Sequence, residues 1–161
     1  IAAPMQVGSL QPAISQASGK YVVPSDHAQY LSEDELDLIS RLDEYVPDGY
    51  RVVSDPGNGG GFIYALSGVQ LVFPHMFVTD TAASAQLRNS MFNAKELAAT
   101  CAALTSLNAW YFYHTERWHS RLFSGPPYFP GLAKPKQSML TLVAREGEAS
   151  LYRFTACDDD K

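Results

Sequence analysis

Positive charge is scarce in this sequence, and what there is does not cluster. The 161 residues carry 12 Lys and Arg against 17 Asp and Glu, a formal net charge of -5 with a pI near 5.2. A nucleic-acid surface or a polybasic membrane patch needs a concentrated basic face, so no nucleic-acid partner is expected. Long apolar runs are also missing. None approaches the roughly 20 residues of a membrane-spanning helix, and the amino-terminal stretch has neither the basic region nor the apolar core of a signal peptide. With Ile1 as its first residue, the chain reads as a soluble piece excised from a longer protein. Cysteine is limited to Cys101 and Cys157, which leaves open one bridge or two reduced, buried thiols.

Catalytic signatures are absent as well. There is no Gly-x-Ser-x-Gly elbow, and neither cysteine stands in a recognisable nucleophile context. His114 and His119 lie five apart across a predicted strand end, whereas a zincin holds two histidines four apart on one helical face. With His75 and Asp80 as the only further candidates, the spacing favours satisfied or solvent-facing histidines, and neither metal nor cofactor is expected.

What is present is 46% hydrophobic residues, enough apolar material for one sizeable core. Residues 1–30 mix Pro, Gly, Ser and Gln without a period and read as a linker or extended segment, with a short strand at Lys20 to Val23. Residues 31–157 read as one α/β domain and 158–161 as an acidic tail. A helix starts at Ser32, where Ser32-Glu33-Asp34-Glu35 forms a capping box flanked by Leu31 and Leu36 as a hydrophobic staple. Leu38, Ile39, Leu42, Tyr45 and Val46 continue it on one face until Pro47. The acidic first turn is explained by the helix dipole.

Arg51 to Gly68 is the centre of the pattern. Arg51 to Ser54 reads as a buried strand, Asp55 to Gly61 as a glycine-rich loop, Phe62 to Ser67 as a short helix capped by Gly68, and Val69 to Phe73 as a second strand. Beyond it, Thr79-Asp80 caps a helix through Met91, and Asn93 with Glu96 repeats the capping box before a helix ending at Asn108. Ala109 to His114 reads as a third strand, and Met139 to Ala144 with Ser150 to Thr155 as an antiparallel hairpin. The expected class is α/β: a Rossmann-like three-layer core with a short, mostly parallel sheet and a C-terminal β-hairpin.

In such a unit the Asp55 to Gly61 loop lies at the carboxyl edge of the first strand, where open α/β sheets hold their ligands. Asp55, Asn58, Gly59, Gly60, Gly61 and His75 are therefore candidate binding residues, with His114 at the same edge. Trp118 and His119 join them from the Pro-, Gly- and aromatic-rich segment Thr115 to Pro135, which also carries Tyr128 and Phe129. The glycines match neither the dinucleotide fingerprint nor the phosphate loop, and a tight turn would use them equally. No Lys or Arg stands in the loop, and Asp55 would oppose an anion. Sugar hydroxyls are thus better partners than a bare phosphate.

Pro47-Asp48-Gly49, Arg51-Val52-Val53, Asp55-Pro56, Asn58-Gly59, Tyr64-Ala65-Leu66-Ser67-Gly68, Phe73-Pro74-His75 and Ala109-Trp110-Tyr111-Phe112 together resemble the carboxyl-terminal soluble domain of an uncharacterised family of actinobacterial polytopic membrane proteins. Those proteins in turn resemble multi-spanning glycosyltransferases that use lipid-linked sugars. Gly57 departs from the pattern, in which an aromatic often follows Asp-Pro, and this weakens a stacking role for the loop. The resemblance implies a domain outside the cytoplasm, tethered by membrane spans absent from this chain, with catalysis belonging to loops of the membrane part. It implies a non-catalytic saccharide-binding or acceptor-positioning module of an envelope protein, with a saccharide or lipid-linked sugar as partner. The alternative is a structural or protein-interaction domain without a small ligand. A location outside the cytoplasm also implies that Cys101 and Cys157 are bridged.

Overall fold

The computed structural model describes residues 31–77, 79–116 and 128–157. The chain divides between Tyr30 and Leu31, and every described residue belongs to the unit Leu31–Lys161. The predicted linker with its Lys20 to Val23 strand, the acidic tail, Trp118 and His119 lie outside the described residues.

Helix α1 (Glu33–Ser40) begins as its sequence dictates. Ser32 Oγ accepts from the Glu35 N–H at 3.2 Å, and Glu35 Oε2 accepts from the Ser32 N–H at 2.7 Å. Leu36, expected in a staple, is 45% exposed. The helix breaks at Arg41 before the single turn α2 (Leu42–Tyr45). Strand β1 (Arg51–Val53) leads through two 3-10 turns, Pro56–Asn58 and Gly60–Phe62, into α3 (Ile63–Ser67). Gly68, at φ 75°, takes the left-handed position that ends α3. Strand β2 is only Gln70–Leu71.

The cap of α4 (Ala82–Ser90) is Thr81 and not Thr79-Asp80. Thr81 and Ser84 form the reciprocal pair of hydrogen bonds, which leaves Asp80 to pair with Arg88. Asn93 caps a 3-10 turn, Ala94–Glu96, ahead of α5 (Leu97–Leu107). Its side-chain amide, rather than its backbone N–H, donates to Glu96. Asn108, at φ 51°, closes α5 as expected. Strand β3 is Tyr111–Thr115, and β4 (Leu140–Glu146) and β5 (Ala149–Phe154) form the hairpin.

These strands make one five-stranded mixed sheet in the order β2-β1-β3-β5-β4. The β1 strand runs parallel to both β2 and β3, as a strand, helix, strand path requires. The expectation of a mostly parallel sheet is corrected, because the hairpin is built into the sheet. β5 pairs antiparallel with β3 along its length, and β4 with β5 around a bulge near Val143. The parallel part stays small because β2 ends at Leu71, three residues before Pro74.

Side chains alternate between two apolar clusters, as a strand period of two demands. Val53, Phe112, Tyr152 and Phe154 pack with Leu87 and Leu104 of α4 and α5. Val52, Tyr113 and Leu151 pack with Leu38, Ile39, Leu42 and Ile63 of the first three helices. Cys101 of α5 and Cys157 after β5 are joined by a disulfide that ties helix to sheet. No described helix is long and apolar enough to cross a membrane.

Candidate functional site

The carboxyl ends of β1 and β3 open on a cavity of about 300 Å³, at the small end of the range for ligand pockets. Its walls come from three separate segments: Asp55 and Asn58 after β1, Phe112 to Thr115 of β3 with Glu116 just beyond it, and Leu132 with Ala133. Among the described residues no Lys or Arg lines it.

Four buried side-chain atoms in the described residues find no hydrogen-bond partner: Ser54 Oγ, Asn58 Oδ1, Thr100 Oγ1 and Tyr113 Oη. Three of them belong to this edge of the sheet. A buried polar atom without a partner costs about 1–3 kcal/mol, and two of the three, on Asn58 and Tyr113, belong to residues that line the cavity, which calls for an occupant. Tyr113 is only 1% exposed. Its hydroxyl reaches the turn beside Asn58, since a Cβ placed on Gly59 would lie 3.9 Å from Tyr113 Oη and 3.6 Å from Glu35 Oε1. Burial and the nearby Glu35 push the Tyr113 phenol upward, so the hydroxyl keeps its proton and can donate.

The loop itself is held from within. Asp55 Oδ1 accepts from the Gly57 N–H at 2.8 Å, and the Asn58 and Phe62 N–H groups donate to the Asp55 and Gly59 carbonyls. These amides are not left free for an anion. Gly59 takes the left-handed conformation at φ 80°, and Gly60 lies so close to Ser54 that an added Cβ would meet Ser54 Cβ at 2.7 Å and the Asp55 carbonyl at 2.8 Å. Burial raises the Asp55 carboxyl above its ordinary value, and the Gly57 N–H partly opposes this.

His114 lies parallel to Phe112, ring centroids 5.7 Å apart. Burial lowers its pKa and Glu116 partly restores it, so at neutral pH the imidazole is uncharged and its ring can both donate and accept. In the unfolded chain His114 takes up its proton near the ordinary 6.5, whereas the folded chain resists it until lower pH. Stability therefore falls as pH drops below 6.5. His114→Gln is expected to flatten that loss between pH 7 and pH 5 in urea-unfolding midpoints, and an unchanged slope would contradict it.

The structure brings Asp55, Asn58 and His114 to one cavity. Gly59, Gly60 and Gly61 shape the turn behind Asn58 without lining it, and His75 is exposed and outside it. Tyr128 does not line it either, and the described residues contain no group of His, Cys, Asp and Glu able to hold a metal. Tyr113, Thr115, Glu116, Leu132 and Ala133 were not singled out from sequence. For the first three the available signal was adjacency to His114 at a strand end, and for the last two there was none.

The model of a family of unknown function (DUF6541) matches residues 1–156. No curated protein matches the chain. Among solved structures it is similar to the C-terminal globular domain of an oligosaccharyltransferase from Archaeoglobus fulgidus, at 13% identity and a TM-score of 0.49, covering 77% of this chain and 98% of that one. A likeness of that degree carries neither fold nor function across.

Proposed function

The chain belongs to that family of unknown function, DUF6541, and we propose that its residues 31–157 form a saccharide-binding or acceptor-positioning domain without catalysis of its own. The observation that carries this is the gathering of orphaned polar atoms, Asn58 Oδ1 and Tyr113 Oη, at a cavity that also offers Asp55, His114 and Glu116. Sugar hydroxyls both donate and accept, and so complement a set of acceptors mixed with a phenol donor. A phosphate would find no cation there among the described residues. Trp118 and His119, from the segment preceding Leu132, are proposed to contact the same ligand.

The short parallel strands and the two apolar clusters support a Rossmann-like three-layer arrangement for the domain, between an N-terminal linker and an acidic tail. The Cys101–Cys157 disulfide supports a location outside the cytoplasm. The residue resemblance supports a place beside membrane spans of a glycosyltransferase-like envelope protein, whose lipid-linked sugar would be the source of the saccharide. A second reading, a protein-interaction domain, is favoured by exposed aromatics. Phe77 is 73% and Tyr128 46% exposed, and their rings meet edge to face.

Asn58→Ala and Tyr113→Phe each remove one orphaned group and leave the turn glycines in place. Each variant is expected to weaken binding of envelope oligosaccharides at least fivefold by calorimetry, with the urea midpoint unchanged or raised. Undiminished binding in both variants would remove the site.

A further inference from the structure

Resting on the saccharide reading above, we propose that the cavity selects by charge, taking a sugar that bears a free ammonium group in preference to a neutral or anionic one. Its lining is unbalanced: two carboxylates, Asp55 and Glu116, with no Lys or Arg among the described residues. The Asp55 carboxylate receives one backbone N–H, from Gly57, and is half-buried. A carboxylate drawn out of water without a cation is disfavoured, and an opposite charge within about 4–6 Å reverses this.

Among the described residues Glu116 has a cation only at arm's length. Arg145 stands 3.9 Å from it, both side chains more than half exposed, and such a pair contributes at most about 1 kcal/mol. It leaves Glu116 able to face a second positive group. The neutral atoms point the same way. Asn58 Oδ1 is an acceptor without a donor, and uncharged His114 puts no like charge beside an incoming ammonium. An ammonium brings three N–H donors and one charge to this surplus of acceptors, whereas a hydroxyl brings one donor. The nearly fully buried Tyr113, its hydroxyl unpartnered beside Asn58, marks the place as a binding site independently of the carboxylates.

The test titrates the isotope-labelled 161-residue chain at pH 6.5 with methyl glucosaminide, methyl glucoside and methyl glucuronide, following amide shifts. The expected result is shifts at Asp55, Asn58 and His114 with all three sugars, with glucosaminide binding at least tenfold more tightly than glucoside and glucuronide weakest. Asp55→Asn keeps the oxygen that accepts from Gly57, so the turn survives. This variant, and Glu116→Gln at an exposed position, are each expected to shrink the preference to less than threefold. Equal affinity for glucosaminide and glucoside at the same residues would overturn the charge selection and leave the saccharide site standing. The absence of shifts at these residues with every sugar would overturn both.

Discussion

Replacing Gly131 by alanine is expected to cost the fold about 3 kcal/mol, the upper part of the range for forcing volume into a packed site. A Cβ there would meet the Leu87 carbonyl oxygen and the Ser90 nitrogen at 2.5 Å and the Asn89 carbonyl carbon at 2.7 Å. All three are backbone atoms of α4, which no rotamer change can move. The Gly131 N–H also donates to the Arg88 carbonyl at 2.7 Å, so separation would break a bond as well as relieve the clash. On either side of the contact, Phe129 packs edge-on to Phe73 and Leu132 is buried in the same cluster. Gly61→Ala is the matched control, because its nearest neighbour would be the Pro56 carbonyl oxygen at 3.5 Å, an ordinary contact. Urea unfolding should show a large drop in midpoint for Gly131→Ala and little change for Gly61→Ala. Equal midpoints would contradict the close approach. Because Leu132 and Ala133 line the cavity, Gly131→Ala should also weaken saccharide binding.

Removing the disulfide is expected to cost about 4 kcal/mol. The bridged cysteines are 56 residues apart, and in the chain-entropy model closing a loop of that length restricts the unfolded chain by this amount. Cys157 also packs against the larger apolar cluster, so its replacement should be small and apolar. The double variant Cys101→Ser, Cys157→Ala, and the wild type unfolded under reducing conditions, should both show the loss. A double variant as stable as the oxidised wild type would mean that the bridge constrains little. Thiol titration of unfolded, unreduced protein matured outside the cytoplasm should find no free thiol.

How much of this was legible from sequence depended on whether the signal was local. The Ser32 capping box, the left-handed Gly68 and Asn108, and the hairpin around Gly147 are each set by residues a few positions apart. They were readable because the same short-range hydrogen bonds and φ preferences operate in any fold. The α4 cap was misplaced by one residue because Asp80 and Thr81 are both capping types, and only the distant Arg88 decides which is otherwise engaged. The sheet was only partly legible. Alternating strand and helix patterns gave parallel β1, β2 and β3, but nothing in the hairpin says that it joins the sheet at β3 through Tyr111 to Thr115.

The cavity shows the same division. Asp55, Asn58 and His114 follow from the rule that loops at carboxyl strand ends meet in space. Leu132 and Ala133 arrive through a segment without periodicity, placed by the contact of Gly131 with the α4 backbone, and long-range packing of that kind leaves no pattern along the chain. The Tyr113 hydroxyl was hidden for another reason. A tyrosine in a strand reads as core, and its orphaned oxygen is visible only when the partners around it can be counted.

A saccharide bound by this domain should touch the molecule at the cavity beyond β1 and β3. Amide-shift mapping of the labelled chain with envelope oligosaccharides, and in parallel with polyprenyl-phosphate analogues, locates that contact residue by residue. The predicted result is saturable shifts confined to Asp55, Asn58 and Tyr113 to Glu116 with the oligosaccharides, and weaker ones with the phosphates. Shifts centred instead on Phe77 and Tyr128, or none at the cavity at millimolar ligand, would contradict it.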